Sequence, residues 1–455
     1  MIRIRIGSLL MVGVSLLSFC LAMLSVTNAQ EPLTLKQSIE IALEGHSAIR
    51  QAKASVWAAK SQSKSSATAF LPSASVSGRY VRLDQNQYRH ITIKIGGKEE
   101  MMDVPVLQKF QYSADLQVVQ PLFAGGAIYY SHKQAKTGVG IAKEQLEGTK
   151  QDVALGVARA YYSVLQAQRL LGVAKLTQQA MEAHRKTAKH FYEAGAVAKV
   201  DLLQAEVRLA EAQQGVIKAS NAVETAKAAF NNSLGRDISA PVELLESHLA
   251  MPSELTLSDC LETALSERPE LLAMRKTIDA SKASEKLACS TFFPQISGVY
   301  DKTLDKDTLT WDRDEAWRVS IVASWNLWQW GKRKFDLDYA RAKTAEARHQ
   351  ASVLEDSILL EVKQAFLSVD QAKKLIAVTK RAIEQAEENV RMNDERYAQN
   401  MVTMTDVLDA EVLLANARMN YYVALYGYDV AVARLLRAMG ERIDAQALPA
   451  TAGGR

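Results

Sequence analysis

This 455-residue chain has few cysteines and a small net charge. It has three cysteines, and Cys20 lies in an N-terminal apolar segment, so Cys260 and Cys289 are the two beyond it. The sequence therefore predicts no disulfide framework. A formal net charge of +4 gives no support for nucleic-acid binding. No phosphate-binding loop, nucleophile-elbow motif or zinc-protease motif occurs, so we expect no enzyme, catalytic residue, cofactor or metal site.

The first 29 residues have the pattern of a secretory signal peptide. Arg3 and Arg5 precede an apolar run over 6–26, and small residues follow as far as Ala29. This order predicts cleavage after Ala29, with an uncleaved membrane anchor as the alternative. Beyond this segment no apolar run reaches the roughly 18 residues of a transmembrane helix, so we expect none.

Proline is rare and unevenly placed. The chain has nine prolines, and none lies within 122–240 or within 295–448. Because proline breaks helix interiors, these gaps permit very long helices, which we predict at 127–192 and 333–396. Apolar residues recur there every three or four positions, which predicts coiled-coil packing; they are Val153, Val157, Ala160, Val164, Ala167, Leu171 and Ala174, then Ile358, Val362, Ala365, Val369, Ala372 and Ile376.

The two halves of the chain repeat each other. Leu33-Thr34-Leu35 opens the first half and Leu255-Thr256-Leu257 opens the second, while Gly126 and Gly331 lie within a block that aligns at an offset of 205 residues (331 − 126). Each half is therefore one structural unit. The predicted organisation is a first repeat at 30–240 with a helical hairpin at 127–235, an equatorial linker at 241–254, a second repeat at 255–440 with a hairpin at 332–440, and a C-terminal tail at 441–455.

Four segments alternate between apolar and polar residues as β-strands do, at about 73–83, 110–120, 295–303 and 316–325. Such alternation places one face against apolar surroundings and the other in water, and about ten residues cross a bilayer when tilted. Four strands cannot close a barrel, since the smallest use about eight, so strands in a membrane require several copies of the chain. A soluble sheet with one dry face is the alternative.

Aromatic residues occur in the sequence between each long helix and the strand that precedes it. Aromatic residues are enriched where transmembrane strands meet the lipid headgroups. We therefore predict a membrane-interface girdle formed by Phe123, Trp325, Trp328 and Trp330.

Each long helix ends in a short break, at 193–197 and at 398–402. Gly195 and Asn400 occupy equivalent positions there, and both residue types tolerate the left-handed conformation of a helix C-cap. The returning helices then carry an acid near their start, where a negative charge meets the positive end of the helix dipole; these acids are Asp201 and Asp406.

With these features in this order, the chain resembles the TolC-like outer membrane efflux family over about 33–440. The marks are the duplicated Leu-x-Leu openings, the Phe-Leu-Pro and Phe-Phe-Pro before strands, the segment 121–126, and the hairpin tips. The resemblance implies an α+β membrane protein in the outer membrane of a Gram-negative bacterium. Its homotrimer would form a twelve-stranded β-barrel above an α-helical tunnel, with an equatorial collar and helices in the periplasm.

The same resemblance implies partners and site residues. The tunnel would taper to an entrance that docks a periplasmic membrane-fusion adaptor protein and an inner-membrane transporter of the RND, ABC or MFS type. Outer-membrane lipid is a further expected partner, and nucleic acid is not. The implied entrance residues are Asp406, Asp409, Tyr397 and Asp201. The implied adaptor-docking tips carry Gly195, Val197, Asn400 and Val402; since some family members have a basic latch residue in place of Val402, no latch of that kind is implied.

Asp406 and Asp409 are three residues apart, so they share one face of a helix. Threefold symmetry would set six carboxylates around one constriction, and their field would favour cations. The alternative for Asp406 is a charge that only serves the helix start.

The predicted function is therefore a passive exit duct for efflux or type I secretion. The alternative is a periplasmic coiled-coil scaffold or adaptor without a membrane-spanning barrel. The alternating strands and the aromatic girdle favour the duct.

Overall fold

The computed structural model describes residues 32–107, 109–249, 255–306, 314–399, 401–443 and 447–449. The predicted signal peptide at 1–29 and Asn400 lie outside these described residues, as does part of the predicted linker and tail. Among the described residues, no helix combines the length and the apolar character needed to cross a lipid bilayer.

The helices of the two halves match one another in length. Each half has helices of 11, 22, 67 and 36 residues in that order. This confirms the predicted duplication and its long helical hairpins. The helices are α1 (Leu35–Gly45), α2 (Ser47–Thr68), α3 (Ala127–Glu193), α4 (Lys199–Leu234), α5 (Leu257–Glu267), α6 (Pro269–Ser290), α7 (Lys332–Ala398) and α8 (Met404–Met439).

The strands form one main sheet and two small ones. The main sheet is antiparallel in the order β1-β4-β6-β7, so β4 and β6 join the two repeats at its centre. A hairpin of β2 and β3 follows β1, and β5 pairs with β8. The strands are β1 (Ser73–Arg82), β2 (Gln87–Ile95), β3 (Lys98–Leu107), β4 (Phe110–Phe123), β5 (Ser247–Leu249), β6 (Gln295–Lys306), β7 (Asp314–Ser324) and β8 (Ala447–Pro449).

Each strand of the main sheet continues directly into a helix, or out of one. Helix α2 leads into β1, β4 leads into α3, α6 leads into β6, and β7 leads into α7. The helices pack in the order α2-α3-α6-α7, which repeats the order of the strands. Strands β1 and β7 are the two edges of the described sheet, and they lie above the two outer helices of the layer.

The strand register separates apolar from polar side chains. Tyr80 lies opposite Tyr112 on one face, with ring centroids 5.0 Å apart, and the same face carries Val319, which is 67% exposed. On the other face, Asp301 accepts hydrogen bonds from Gln117 Nε2 at 2.9 Å and from Arg318 NH2 at 3.0 Å. One face of the sheet therefore has no packing partner among the residues that the structure describes, and the other is a hydrogen-bonded polar surface.

Strand β4 differs from the prediction at its end. It runs to Phe123 rather than to residue 120, and Pro121 lies inside it. A proline can sit there because the register with β6 shifts between Pro121 and Phe123, and a bulge removes the need for a ladder hydrogen bond. Phe123 is thereby carried to the end of the sheet nearest the helices.

The main core lies halfway down α3, where α1 and α5 pack on the long helices. Tyr161 and Tyr162 are fully buried there. The predicted linker is held in the same place, because the wholly buried Asp429 of α8 accepts a hydrogen bond from the Leu249 N–H at 2.9 Å and lies 2.8 Å from His248 Nδ1. This core fixes both hairpins at their middle and leaves their tips projecting.

Candidate functional site at the hairpin tips

The first hairpin turns where the sequence predicts. Helix α3 ends at Glu193 and α4 begins at Lys199. Gly195 between them has φ of +73°, the left-handed conformation expected of it. Val197 of this tip is half-buried, whereas Gly195 is exposed.

Both tips share one small hydrophobic core. Tyr397 is only 6% exposed there, and its ring lies 5.6 Å from that of Phe191. Burial raises the pKa of the Tyr397 hydroxyl, and the charge of Asp201 adds to this effect. The structure therefore places Tyr397 inside the tip rather than on an exposed face of this protomer. The other buried members of this core are Met181, Ala188, Ala205, Leu209, Met404, Val407 and Leu408, and Val402 packs against them.

Asp406 closes a capping box at the start of α8. Its Oδ2 accepts hydrogen bonds from the Thr403 N–H at 2.8 Å and from Thr403 Oγ1 at 2.7 Å. These two bonds lower the pKa of Asp406, so the carboxylate stays charged at neutral pH while it remains exposed to solvent. Asp201 occupies the first turn of α4 in the first hairpin.

Asp409 joins the second hairpin to the first. Arg208 NH2 of α4 donates to Asp409 Oδ1 at 3.2 Å. One turn away, Thr405 Oγ1 donates to Gln204 Oε1 at 2.7 Å. Neither Arg208 nor Gln204 is predicted as a site residue, because their partners lie 201 residues away along the chain.

A third polar contact lies farther from the tip. His184 Nε2 of α3 is 3.4 Å from Glu411 Oε1 of α8, and its Nδ1 is 3.9 Å from Asp394 Oδ1 of α7. Burial raises the pKa of Asp394, the charge of His184 opposes that shift, and Glu411 adds to it. The tips are therefore held by contacts between ionisable groups as well as by their shared core.

The predicted aromatic girdle collects at the opposite end of the long helices. Phe123 ends β4, and Trp325 directly follows β7, where its Nε1 donates to the Phe292 carbonyl at 3.2 Å. The rings of Trp328 and Trp330 meet edge to face with centroids 5.8 Å apart. All four side chains are exposed, from 44% for Phe123 to 86% for Trp330.

Comparison with known proteins agrees with this arrangement. The family model described as outer membrane efflux protein matches residues 38–236 and 260–441, and so covers both repeats. The chain belongs to this efflux family. It is therefore an outer-membrane channel protein of the kind used for efflux and secretion in Gram-negative bacteria, and not an enzyme.

Individual relatives resemble the chain over most of its length. BepC, an outer membrane efflux protein of Brucella suis, is 23% identical over 328 residues, which are 71% of this chain and 71% of BepC. AprF, the alkaline protease secretion protein of Pseudomonas aeruginosa, is 24% identical over 353 residues, covering 71% of this chain and 68% of AprF. The CmeC channel of Campylobacter jejuni shares the fold, with a TM-score of 0.75 at 15% identity over 89% of this chain and 85% of CmeC.

This efflux protein also has an exposed apolar stripe near its tips. Val200, Leu203 and Val207 of α4 lie on one helix face and are 53%, 48% and 58% exposed. Together with Thr405 and Leu408 of α8 they line a groove of about 300 Å³ between the two hairpins. Such a stripe of exposed apolar side chains is a candidate contact site.

Proposed function

We propose that three copies of this chain form one outer-membrane channel, which is the passive exit duct of a tripartite efflux or type I secretion system. The observation that carries the proposal is the pair of open edges, β1 and β7, on a four-stranded sheet with one apolar face. The family's outer-membrane location favours this function over the alternative of a periplasmic scaffold.

Open edges cannot remain unpaired in lipid. Each unsatisfied backbone group there costs several kcal/mol, and water is absent from the bilayer core. Pairing β7 of one copy with β1 of the next removes both edges, and three copies supply twelve strands. Because the helix layer follows the strand order, the same contact brings α7 of one copy beside α2 of the next and closes a helical tunnel.

The two faces of the sheet fit this closed arrangement. The apolar face, with the exposed Val319 and Ile321, would contact lipid, and the Gln117–Asp301–Arg318 hydrogen bonds would line a water-filled bore. The exposed Trp328 and Trp330 would then lie at the lipid headgroups on the periplasmic side.

The tips would dock the other components. The stripe of Val200, Leu203 and Val207 presents apolar side chains at the spacing of one helix face, which suits an amphipathic helical hairpin of a periplasmic adaptor protein. An inner-membrane transporter would complete the assembly. BepC is named for efflux and AprF for protease secretion, so the proposed duct role covers both kinds of system.

Disulfide cross-linking between copies tests the edge pairing. Cysteines introduced at Ser75 or Ser77 of β1 and at Ser320 or Ser324 of β7, in a chain with Cys260→Ala and Cys289→Ala, should link neighbouring protomers in isolated outer membranes. We expect dimer and trimer bands on non-reducing gels.

The matched control is the pair Ser75→Cys and Gln117→Cys, which are opposite one another on β1 and β4 of one protomer. That pair should link within a single chain and leave the molecular mass unchanged. Failure of all four β1–β7 pairs to link copies, while the control pair forms its bond, would contradict the proposal.

A further inference from the structure

A strongly basic groove lies between α3 and α6, close to the sheet. It has a volume of about 820 Å³. Its lysines outnumber its single carboxylate by five to one, so it has the charge of an anion site. The charged and aromatic residues of this basic groove are Lys133, Lys136, Lys276, Lys282, Lys286, Asp279, His132, Tyr129 and Tyr130.

Two of the five lysines already have partners. Lys276 pairs with Glu144, and Lys282 pairs with Asp279 at 3.0 Å. The ammonium groups of Lys133, Lys136 and Lys286 have no carboxylate within 4.0 Å among the residues that the structure describes. Three exposed positive charges in one groove repel one another, and a bound anion would relieve that repulsion.

Two of the three unpaired lysines, Lys286 and Lys133, lie close to the sheet. The end of α6 meets the start of α3, because a Cβ on Gly125 would stand 2.6 Å from the Ser290 carbonyl oxygen. Counted from that junction, Lys286 lies about 6 Å and Lys133 about 10 Å along the helix axes. Lysine side chains extend toward headgroups from such depths. The basic groove therefore opens toward the predicted membrane interface.

The basic groove lies on the outer side of the helix layer. Its α3 residues Tyr129, Lys133, Lys136 and Gly140 continue at helical spacing into Glu147, Gln151 and Ala154, which line a cavity together with residues of α1 and residues 441–443. A compact core covers that side of α3. An exit duct must keep its bore clear, so the covered side faces away from the bore. The groove also lies within one protomer, away from the proposed contact between α7 and α2.

We propose that the basic groove binds the phosphate group of an anionic phospholipid in the periplasmic leaflet of the outer membrane. This proposal rests on the proposed function, because it needs the sheet in the membrane. Lys133, Lys136 and Lys286 hold the phosphate, and Tyr129, which is 56% exposed, contacts the glycerol and the start of the acyl chains. A single bound lipid for each protomer would fix the height of the helical tunnel relative to the membrane.

The test uses the full chain, purified and placed in nanodiscs that contain phosphatidylglycerol and phosphatidylethanolamine in equal amounts. Native mass spectrometry counts the lipids that each protomer retains. The variant Lys133→Gln, Lys136→Gln, Lys286→Gln should bind phosphatidylglycerol about 100-fold more weakly than the wild type and retain correspondingly less of it, since each of the three lysines near a headgroup contributes about fivefold. The control variant Lys363→Gln, Lys373→Gln, Lys380→Gln makes the same charge change at exposed positions of α7 and should retain the wild-type amount.

Equal phosphatidylglycerol retention by the groove variant and the control would overturn the proposal. So would equal retention of phosphatidylethanolamine by the wild type. Displacement of the lipid by inorganic phosphate in the buffer would assign the basic groove to a soluble anion and would overturn the lipid assignment. The same spectra report the oligomeric state, so a monomer counts against the proposed function, whereas a trimer with equal retention counts only against the lipid site.

Discussion

Arg208 of α4 and Asp409 of α8 form an ion pair across the two hairpin tips, with NH2 and Oδ1 3.2 Å apart. Both side chains are partly exposed, at 38% and 57%, so the pair contributes only about 0.2–1 kcal/mol. Its position matters more than its strength, because Asp409 is one of the two acids that we expect around the periplasmic entrance. Arg208 therefore offsets part of the negative charge there.

Replacing this arginine should make the channel more selective for cations. In Arg208→Gln the Asp409 carboxylate loses its nearest positive charge, so the entrance becomes more negative. Reversal potentials in planar bilayers under a KCl gradient measure the effect. Arg341→Gln is the matched control, because Arg341 pairs with Asp338 on the same helix near the opposite end of α7. Equal shifts of the reversal potential in the two variants would show that Arg208 does not affect the charge at the entrance.

Removing both tip acids should have the opposite effect. We expect Asp406→Asn with Asp409→Asn to weaken cation selectivity and block by divalent cations, since six carboxylates would be lost from the trimer. Single-channel recordings with added divalent cations measure both quantities. Asp259→Asn provides the control, because Asp259 closes the equivalent capping box with Thr256 at the start of α5. Selectivity that stays at the wild-type value in the double variant would defeat the acidic-entrance assignment.

Gly125 should be the least replaceable glycine at the junction of sheet and helices. Its φ is +60°, and an added Cβ would stand 2.6 Å from the Ser290 carbonyl oxygen and 2.8 Å from Phe293 Cβ. Gly125→Ala should therefore cost about 2 kcal/mol or more in stability. Gly138→Ala is the matched control, since its added Cβ would have no atom within 4 Å apart from its chain neighbours and the backbone of its own helix, and alanine favours helix by about 0.5–1 kcal/mol. Thermal unfolding followed by circular dichroism measures the unfolding temperatures of the two variants. Equal temperatures would refute the steric argument.

Stability should fall as the pH rises through neutrality, because of His248. The hydrogen bond with Asp429 raises the pKa of His248, and burial raises the pKa of Asp429. A raised folded-state pKa gives stability that is present at low pH and is lost as the pH rises through that pKa. For His248 this loss begins near its ordinary value of about 6.5. Glu246 supports the charged histidine, and Arg169 opposes it.

The measurement compares unfolding temperatures at about pH 6 and pH 8. The wild type should unfold at a lower temperature at the higher pH, and His248→Gln should reduce that difference. His190→Gln is a suitable control, since His190 lies in the last turn of α3, far from the core. An unchanged pH dependence in His248→Gln would show that another group is responsible.

Sequence patterns predict the long elements well and the contacts between them poorly. The predicted helices at 127–192 and 333–396 agree with α3 (Ala127–Glu193) and α7 (Lys332–Ala398) to within two residues at each end. Proline-free length and an apolar stripe are local properties, so a single sequence displays them. The four strands are also predictable from a single sequence, because the alternation of apolar and polar residues is a local property that follows the pleat of the sheet.

Contacts between distant segments follow no such local rule. The Arg208–Asp409 pair joins residues 201 apart, and β5 pairs with β8 through three residues of the predicted linker and tail. The burial of Tyr397 also depends on contacts between distant segments. The family resemblance implies that Tyr397 is an entrance residue, and its ring lies buried beside that of Phe191 because four helices converge there. Such packing depends on how the helices are arranged in space.

The proposed channel depends on neighbouring copies that close the open edges β1 and β7. The mass of the purified full-length protein in detergent, measured by native mass spectrometry, tests it most directly. We expect a single species with the mass of three protomers. A stable, folded monomer under the same conditions would contradict it.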